Sequence, residues 1–327
     1  MLWIGRRMAI GIGSETVRGE GVAPSYWINA LSFSFRDMPE RALSEAGFGG
    51  IWGGDQSPKT LEHSEGEMEF EVDDQSIGAI LKSVMGEVSS AVEDTSAYKH
   101  TYSLQNDNQH DSVTITTIDP IGQLQFELGM VDTFELRVEP NAIVSARVNF
   151  LAKGSNDTSG NTASYSSVKK WLGRHLTFKV ATDAAGLTAA TGVNLKSLTL
   201  TIEKNAEVNA TLSTVQPEDI VNKRFNITGE FTLNYEDRTW LDYVKNATNK
   251  AIRIDLVHDD LAGSTPVTGA YYQIRLDLSK CSIEGFDPDF GMDDVVTQTF
   301  TFNALYDAGG NDNVVNDMYL INKVASY

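Results

Sequence analysis

The chain has one cysteine, Cys281, in 327 residues. That excludes an internal disulfide framework and a cysteine-based structural zinc site. Basic residues are scarce, 26 against 45 acidic ones, leaving a net charge of −19. Such a chain is poorly equipped to bind nucleic acid by neutralising phosphates. No stretch approaches the ~18 apolar residues that a membrane span needs. The opening "MLWIGRRMAIGIGSETVRGEG" lacks the apolar core of a signal peptide, so a soluble protein made in a cytoplasm is expected. For the same reason the N-x-Thr triplets at Asn156, Asn209, Asn226 and Asn246 are not read as glycosylation sites.

Signs of catalysis are equally scarce. No GxxxxGK[ST], HExxH or GxSxG pattern occurs. "GIGSET" at Gly11 has two glycines in phosphate-loop spacing but no third glycine and no expected strand before it. His63, His100, His110, His175 and His258 show no metal-ligand spacing and are expected on the surface or in loops. "DPDFGMDD" (287–294) lacks the ligand set of a calcium loop and reads as an Asp-rich turn. "DAGGNDNVVND" (307–317) reads as a flexible loop. No catalytic residue, metal or cofactor is expected.

What the chain does have is "EGEMEFEVDD" (65–74), with a carboxylate at every second position: Glu65, Glu67, Glu69, Glu71 and Asp73. Side chains of a strand alternate faces, so an extended segment here shows one acidic face and one apolar face of Met68, Phe70 and Val72. Like charges about 7 Å apart repel by roughly 0.6 kcal/mol in water. A uniform ladder of this kind does not resemble the two differently tuned carboxylates of glycoside hydrolysis.

The chain also looks written twice. "GEMEFEVDDQSIGAILKSV" from Gly66 aligns with "GEFTLNYEDRTWLDYVKNA" from Gly229, an offset of 163. Ser76 and Thr239 are each placed to cap a helix with apolar residues at i, i+3, i+4 and i+7. "ALSFSFRDMPE" (30–40) resembles "SLTLTIEKNAE" (197–207), setting Leu31, Phe33 and Phe35 against Leu198, Leu200 and Ile202. "IVSARVNF" (143–150) resembles "VVTQTFTF" (295–302). Two units are expected, 15–152 and 165–327, joined by a polar linker at 153–164. Strands are expected at 27–36, 66–73, 99–105, 112–118, 123–138 and 142–151, then at 174–180, 197–204, 224–236, 251–257, 271–279 and 294–305. The fold class is mainly β: two tandem sandwich- or barrel-like domains, each with one short flanking α-helix packed outside its sheet.

"GIGSETVRGEGVAPSYWINALSFSF" and "SEGEMEFEVDDQSIGAILKSVMG" resemble the first half of tail tube proteins of long, flexible-tailed bacteriophages. "LKSLTLTIEKN" and "VQPEDIVNKRFNITGEFTLNYED" resemble the second half. The resemblance runs from about Gly11 to about Tyr306; the first seven and last fifteen or so residues have no counterpart in it.

It implies a structural virion protein without catalytic residues, whose strands join those of neighbours into rings stacked as a hollow tail tube. Three two-unit chains would form a pseudo-sixfold ring. Expected partners are further copies of the chain and the tape-measure, tail-tip and tail-terminator proteins, with DNA passing through unbound. The face Glu65, Glu67, Glu69, Glu71 and Asp73, with Thr228, Glu230, Thr232, Asn234 and Glu236 in the second unit, would line the bore. Gly49, Gly50, Trp52, Gly53 and Gly54 would belong to a ring-stacking loop. A second reading from a different class is a two-module carbohydrate-binding adhesin using Trp27, Trp52, Trp171 and Trp240.

Overall fold

Alternating apolar and polar residues dominate the chain, and the structure turns them into strands. The computed structural model describes all residues except 1–2, 48, 50, 52, 265–269, 293 and 310–312. The first half contains β1 (Ala9–Ser14), β2 (Tyr26–Trp27), β3 (Ala30–Arg41), β4 (Lys59–Glu71), α1 (Ser76–Met85), β5 (Gly86–Asp94), β6 (Ala97–Leu104), β7 (Val113–Ile118), β8 (Gln123–Val138), β9 (Ser145–Lys153) and β10 (Asn156–Thr158). The second contains β11 (Leu176–Ala181), β12 (Gly192–Val193), β13 (Leu195–Glu203), β14 (Glu207–Asn209), β15 (Asp219–Val221), β16 (Asn226–Asn234), α2 (Thr239–Lys245), β17 (Lys250–Leu261), β18 (Tyr271–Asp289), β19 (Thr297–Ala304) and β20 (Val315–Asn322).

One sheet runs through both halves in the order β3–β4–β9–β8–β13–β16–β19–β18, every neighbour antiparallel. Its first four and last four strands share a register. Gly66 lies between Phe35 and Phe150, and Gly229 between Leu200 and Phe302. A bulge falls at the same place in both, between Ala30 and Ser32 and between Leu195 and Ser197. This corrects the sequence alignment of 30–40 by two residues: Phe33 and Phe35 correspond to Leu198 and Leu200.

The long strands β8 and β18 bend between layers. The N-terminal part of β8 pairs with β7, which pairs with β1; that of β18 pairs with β17, which pairs with β11. Beyond Leu278 β18 therefore continues as far as Asp289 rather than ending at 279. "GIGS" lies within β1, Val315–Asp317 begin β20 rather than completing a loop, and the expected linker holds β10, paired with β8.

Helix α1 is buried on nearly every side, not only along one stripe. Ile77 and Leu81 face Leu136 of β8, Leu200 and Ile202 of β13, and Leu276 of β18 around a small apolar gap. Burying such aliphatic side chains contributes about 1.5–3 kcal/mol each, so this seam stabilises both halves at once. The N-terminus of α1 is capped by Asp73, whose Oδ1 accepts the N–H groups of Gln75 (2.9 Å) and Ser76 (2.7 Å). In α2 Asp237 accepts the Thr239 N–H at 2.8 Å. Ser76 and Thr239 are thus the first helical residues, and the carboxylates before them do the capping. Of α2 only Trp240 is buried, packed on Phe231 and Phe300.

The β5–β6 hairpin has no equivalent between α2 and β17. It crosses to the second half, where β6 pairs with β20 and β20 with β18. His100 on β6 is fully buried there, 2.7 Å from Ser90 Oγ and 3.0 Å from Asn322 Oδ1. His110 and His175 are also buried; of the surface-or-loop expectation, His110 keeps the loop and loses the surface.

Candidate functional site

The face of the through-running sheet turned away from the core is the candidate site. On β4 Glu65, Glu67, Glu69 and Glu71 are half-buried on this face, while Met68 and Phe70, and Val72 just beyond the strand, are fully buried behind it. Asp73 does not join them: the strand has ended, and its side chain turns in to cap α1, leaving 1% exposed. In the second half Thr228, Glu230, Thr232 and Asn234 occupy the same face of β16, and Glu236 lies exposed beyond the strand's end.

Read strand by strand the face is acidic, but its neighbours temper it. Arg147 on β9 lies opposite Glu69 on one side and Glu135 on the other, and pairs with Glu67 at 2.5 Å. Arg36 reaches Glu65 at 3.4 Å, Arg137 pairs with Glu135, and Lys170 with Glu71. The carboxylates beside Arg137 and Arg147 hold both guanidinium groups above their ordinary pKa. The repulsion expected from an isolated ladder is therefore offset by cross-strand cations that single-strand alternation does not reveal.

In the second half the face is Thr-rich. Thr199 and Thr201 of β13 and Thr297, Thr299 and Thr301 of β19 flank β16, and Thr232 Oγ1 bonds Thr299 Oγ1 at 2.9 Å. Glu284, Asp287 and Asp289 on β18 face Thr301, Thr299 and Thr297. Shallow concavities of about 420 and 440 Å³ lie over Glu65–Glu67 and over Thr228–Glu230. Both are open surfaces rather than enclosed pockets.

Two edges of this sheet are unpaired among the described residues: the outer edge of β3, and that of β18 from Glu284 to Asp289. Leu31 on β3 is 57% exposed, and Phe290 just beyond β18 is 60% exposed. Past Arg41 and Lys59 the β3–β4 hairpin continues as an arm, with the Ala42 and Ser44 N–H groups donating to Pro58 and Gln56 carbonyls. Gly49, Gly53 and Gly54 lie on that arm, Gly49 with φ +74°; Gly50 and Trp52 lie outside the described residues.

Other expected sites dissolve. Trp171 is fully buried and Trp240 nearly so, which removes them as sugar platforms. Among the described residues no group of His, Cys, Asp and Glu has the geometry to hold a metal ion. No helix among them is long and apolar enough to cross a membrane. No curated protein matches the chain. The family described as "Phage tail tube protein" matches residues 5–304. The chain therefore belongs to the phage tail tube proteins, structural components of the virion tail.

Proposed function

We propose that the chain is a two-unit tail tube protein of a long, flexible-tailed phage, three copies of which close a pseudo-sixfold ring, the rings stacking into a conduit for DNA ejection. The observation that carries this is the seam inside the chain. There β13 of the second half pairs with the C-terminal part of β8, Leu198 opposite Val138 and Leu200 opposite Leu136. The repeated registers give β3 the place of β13 and β18 the place of β8. The free edge of β3 on one copy then fits the free edge of β18 on the next. Such strand addition supplies backbone hydrogen bonds and hides edges that otherwise invite aggregation, and a contact that closes by rotation makes a ring.

In this reading the tandem units are best drawn as about 3–152 and 165–327, because β1 belongs to the first sandwich. The open face lines the bore. Duplex DNA carries about one charge per 1.7 Å of axis, and a wall whose arginines are already held by glutamates offers it few cations to grip. Glu65, Glu67, Glu69, Glu71, Thr228, Glu230, Thr232 and Asn234 are the lining residues; Asp73 is not among them. The arm carrying Gly49, Gly53 and Gly54 reaches the neighbouring ring, and assembly involves tape-measure, tail-tip and tail-terminator proteins in the host cytoplasm.

Negative-stain microscopy of the concentrated protein tests the reading. Stacked rings containing three chains each are expected. A protein that stays monomeric at every concentration, alone and with tail-tip proteins, would overturn it.

A further inference from the structure

The first residues of the chain have a counterpart within it. Trp3-Ile4-Gly5-Arg6-Arg7-Met8 matches Trp171-Leu172-Gly173-Arg174-His175-Leu176 in residue type at nearly every position. The backbones agree as well. Ile4 and Leu172 are both extended, and each precedes a single 3-10 turn, Gly5–Arg7 and Gly173–His175. The N–H of Met8 closes the first turn on Gly5 O, and that of Leu176 closes the second on Gly173 O. Strands β1 and β11 follow, in matching positions beside β7 and β17.

Their surroundings differ. Lys170 and Leu172 are held to the end of the first half by isolated antiparallel bridges, to Asp73 and Ile143. The Val144 N–H donates to Trp171 O at 2.9 Å, and the Gly173 N–H donates to Ala142 O at 3.0 Å. Trp171 is completely buried, yet Trp3 is 41% and Ile4 68% exposed.

The surface that would receive Trp3 exists at the end of the second half. The shared register of β9 and β19 places Val144 on Val296 and Ile143 on Val295. The Val72 N–H donates to Val144 O at 2.9 Å, and the Tyr235 N–H donates to Val296 O at 3.0 Å. Where the first half is covered the second is bare: Ile143 is 38% exposed and Val295 72%; Val144 is fully buried and Val296 only partly. An exposed apolar segment and an exposed apolar edge thus stand at the two ends of one molecule, each the likeness of a partner already joined inside it.

We infer that residues 3–5 of one copy add as a short strand to Val295–Val296 of a second copy, with Ile4 opposite Val295 and Trp3 taking the place that Trp171 takes within the chain. This rests on the reading that copies join as the two halves do. It adds a clasp separate from the β3–β18 pairing, made by a segment outside the sheet.

Cysteine crosslinking of the full chain separates the two. Residues opposite one another in an antiparallel pair have Cα atoms about 4.5–5.5 Å apart, within disulfide reach, and native Cys281 is buried. Assembled Ile4→Cys/Val295→Cys protein is mildly oxidised and compared with each single variant. Ser34→Cys/Asp289→Cys reports the main seam, since Thr199 lies opposite Arg137 within the chain. Covalent multimers from both double variants and from neither single set are expected. Tubes in which Ser34→Cys/Asp289→Cys links and Ile4→Cys/Val295→Cys does not overturn the clasp and leave the ring reading standing. Failure of both pairs, with no rings formed, removes the ring reading and the clasp with it.

Discussion

Phe35 on β3 lies directly across from Gly66 on β4, and its ring passes 2.0 Å from where a Cβ on that glycine would sit. Gly66→Ala forces the ring to move within a packed core that also holds Phe126 and Phe150. A loss of about 1–3 kcal/mol is expected. Gly122→Ala, which meets nothing within 4 Å, serves as the comparison in denaturant melts and should change little.

Asp73 serves the helix rather than the open face of the sheet. Asp73→Ala removes the cap of α1 at a buried position and should cost about 2 kcal/mol, the upper end for caps. Assembly of the protein that remains folded should be unchanged. A variant as stable as the parent would return Asp73 to the acidic face.

Lys204 is 1% exposed and donates to the Ser83 carbonyl at 2.6 Å. Burial, with Arg18 nearby, lowers its pKa to about 7. Between pH 7 and the ordinary lysine range near 10.4, the unfolded chain holds a proton that the folded chain has released. Stability from this group therefore rises with pH across that window. Lys204→Met abolishes the dependence, so its stability relative to the parent should be most favourable at pH 7 and decline toward pH 10. Parallel melts at three pH values measure this; a constant difference would contradict it.

Arg36 corresponds in register to Thr201, which faces Glu135, the counterpart of Asp287. The proposed seam thus sets Arg36 of one copy against Asp287 of the next. Arg36→Glu should suppress assembly while leaving the melting midpoint within a few degrees. Combining it with Asp287→Arg should restore rings, scored by sedimentation and microscopy.

Arg147 is held by Glu67 and flanked by Glu69 and Glu135. Glu67→Gln with Glu69→Gln should barely alter stability, because exposed ion pairs contribute about 0–1 kcal/mol. Assembled tubes should nevertheless retain short duplex DNA at low salt and release it as salt rises. No change in retention would argue against this face lining the bore.

Strand periodicity carried most of the fold. β8 is bounded as its alternating run suggests, and β4 and β16 follow from "GEMEFEV" and "GEFTLNY". β1 was hidden because its glycines read as a loop, although Gly11 and Gly13 are there to let Pro24, Trp27 and Ala23 approach. β5 was hidden because most of its residues are exposed on both faces, so no alternation marks it. The acidic face was legible as a strand but not as a surface: Arg36, Arg137 and Arg147 sit on other strands of the sheet, β3, β8 and β9. The likeness of Trp3 to Trp171 was present in the letters, yet six residues carry too little periodicity to stand out.

The β5–β6 hairpin sets the seam inside the chain apart from the one proposed between copies. Within a molecule the halves share α1, the β8–β13 pairing and, through β6 and β20, a strap that no second copy can supply. Heat or denaturant should accordingly part neighbours long before it parts siblings, and a damaged wall would shed whole staves rather than splinters.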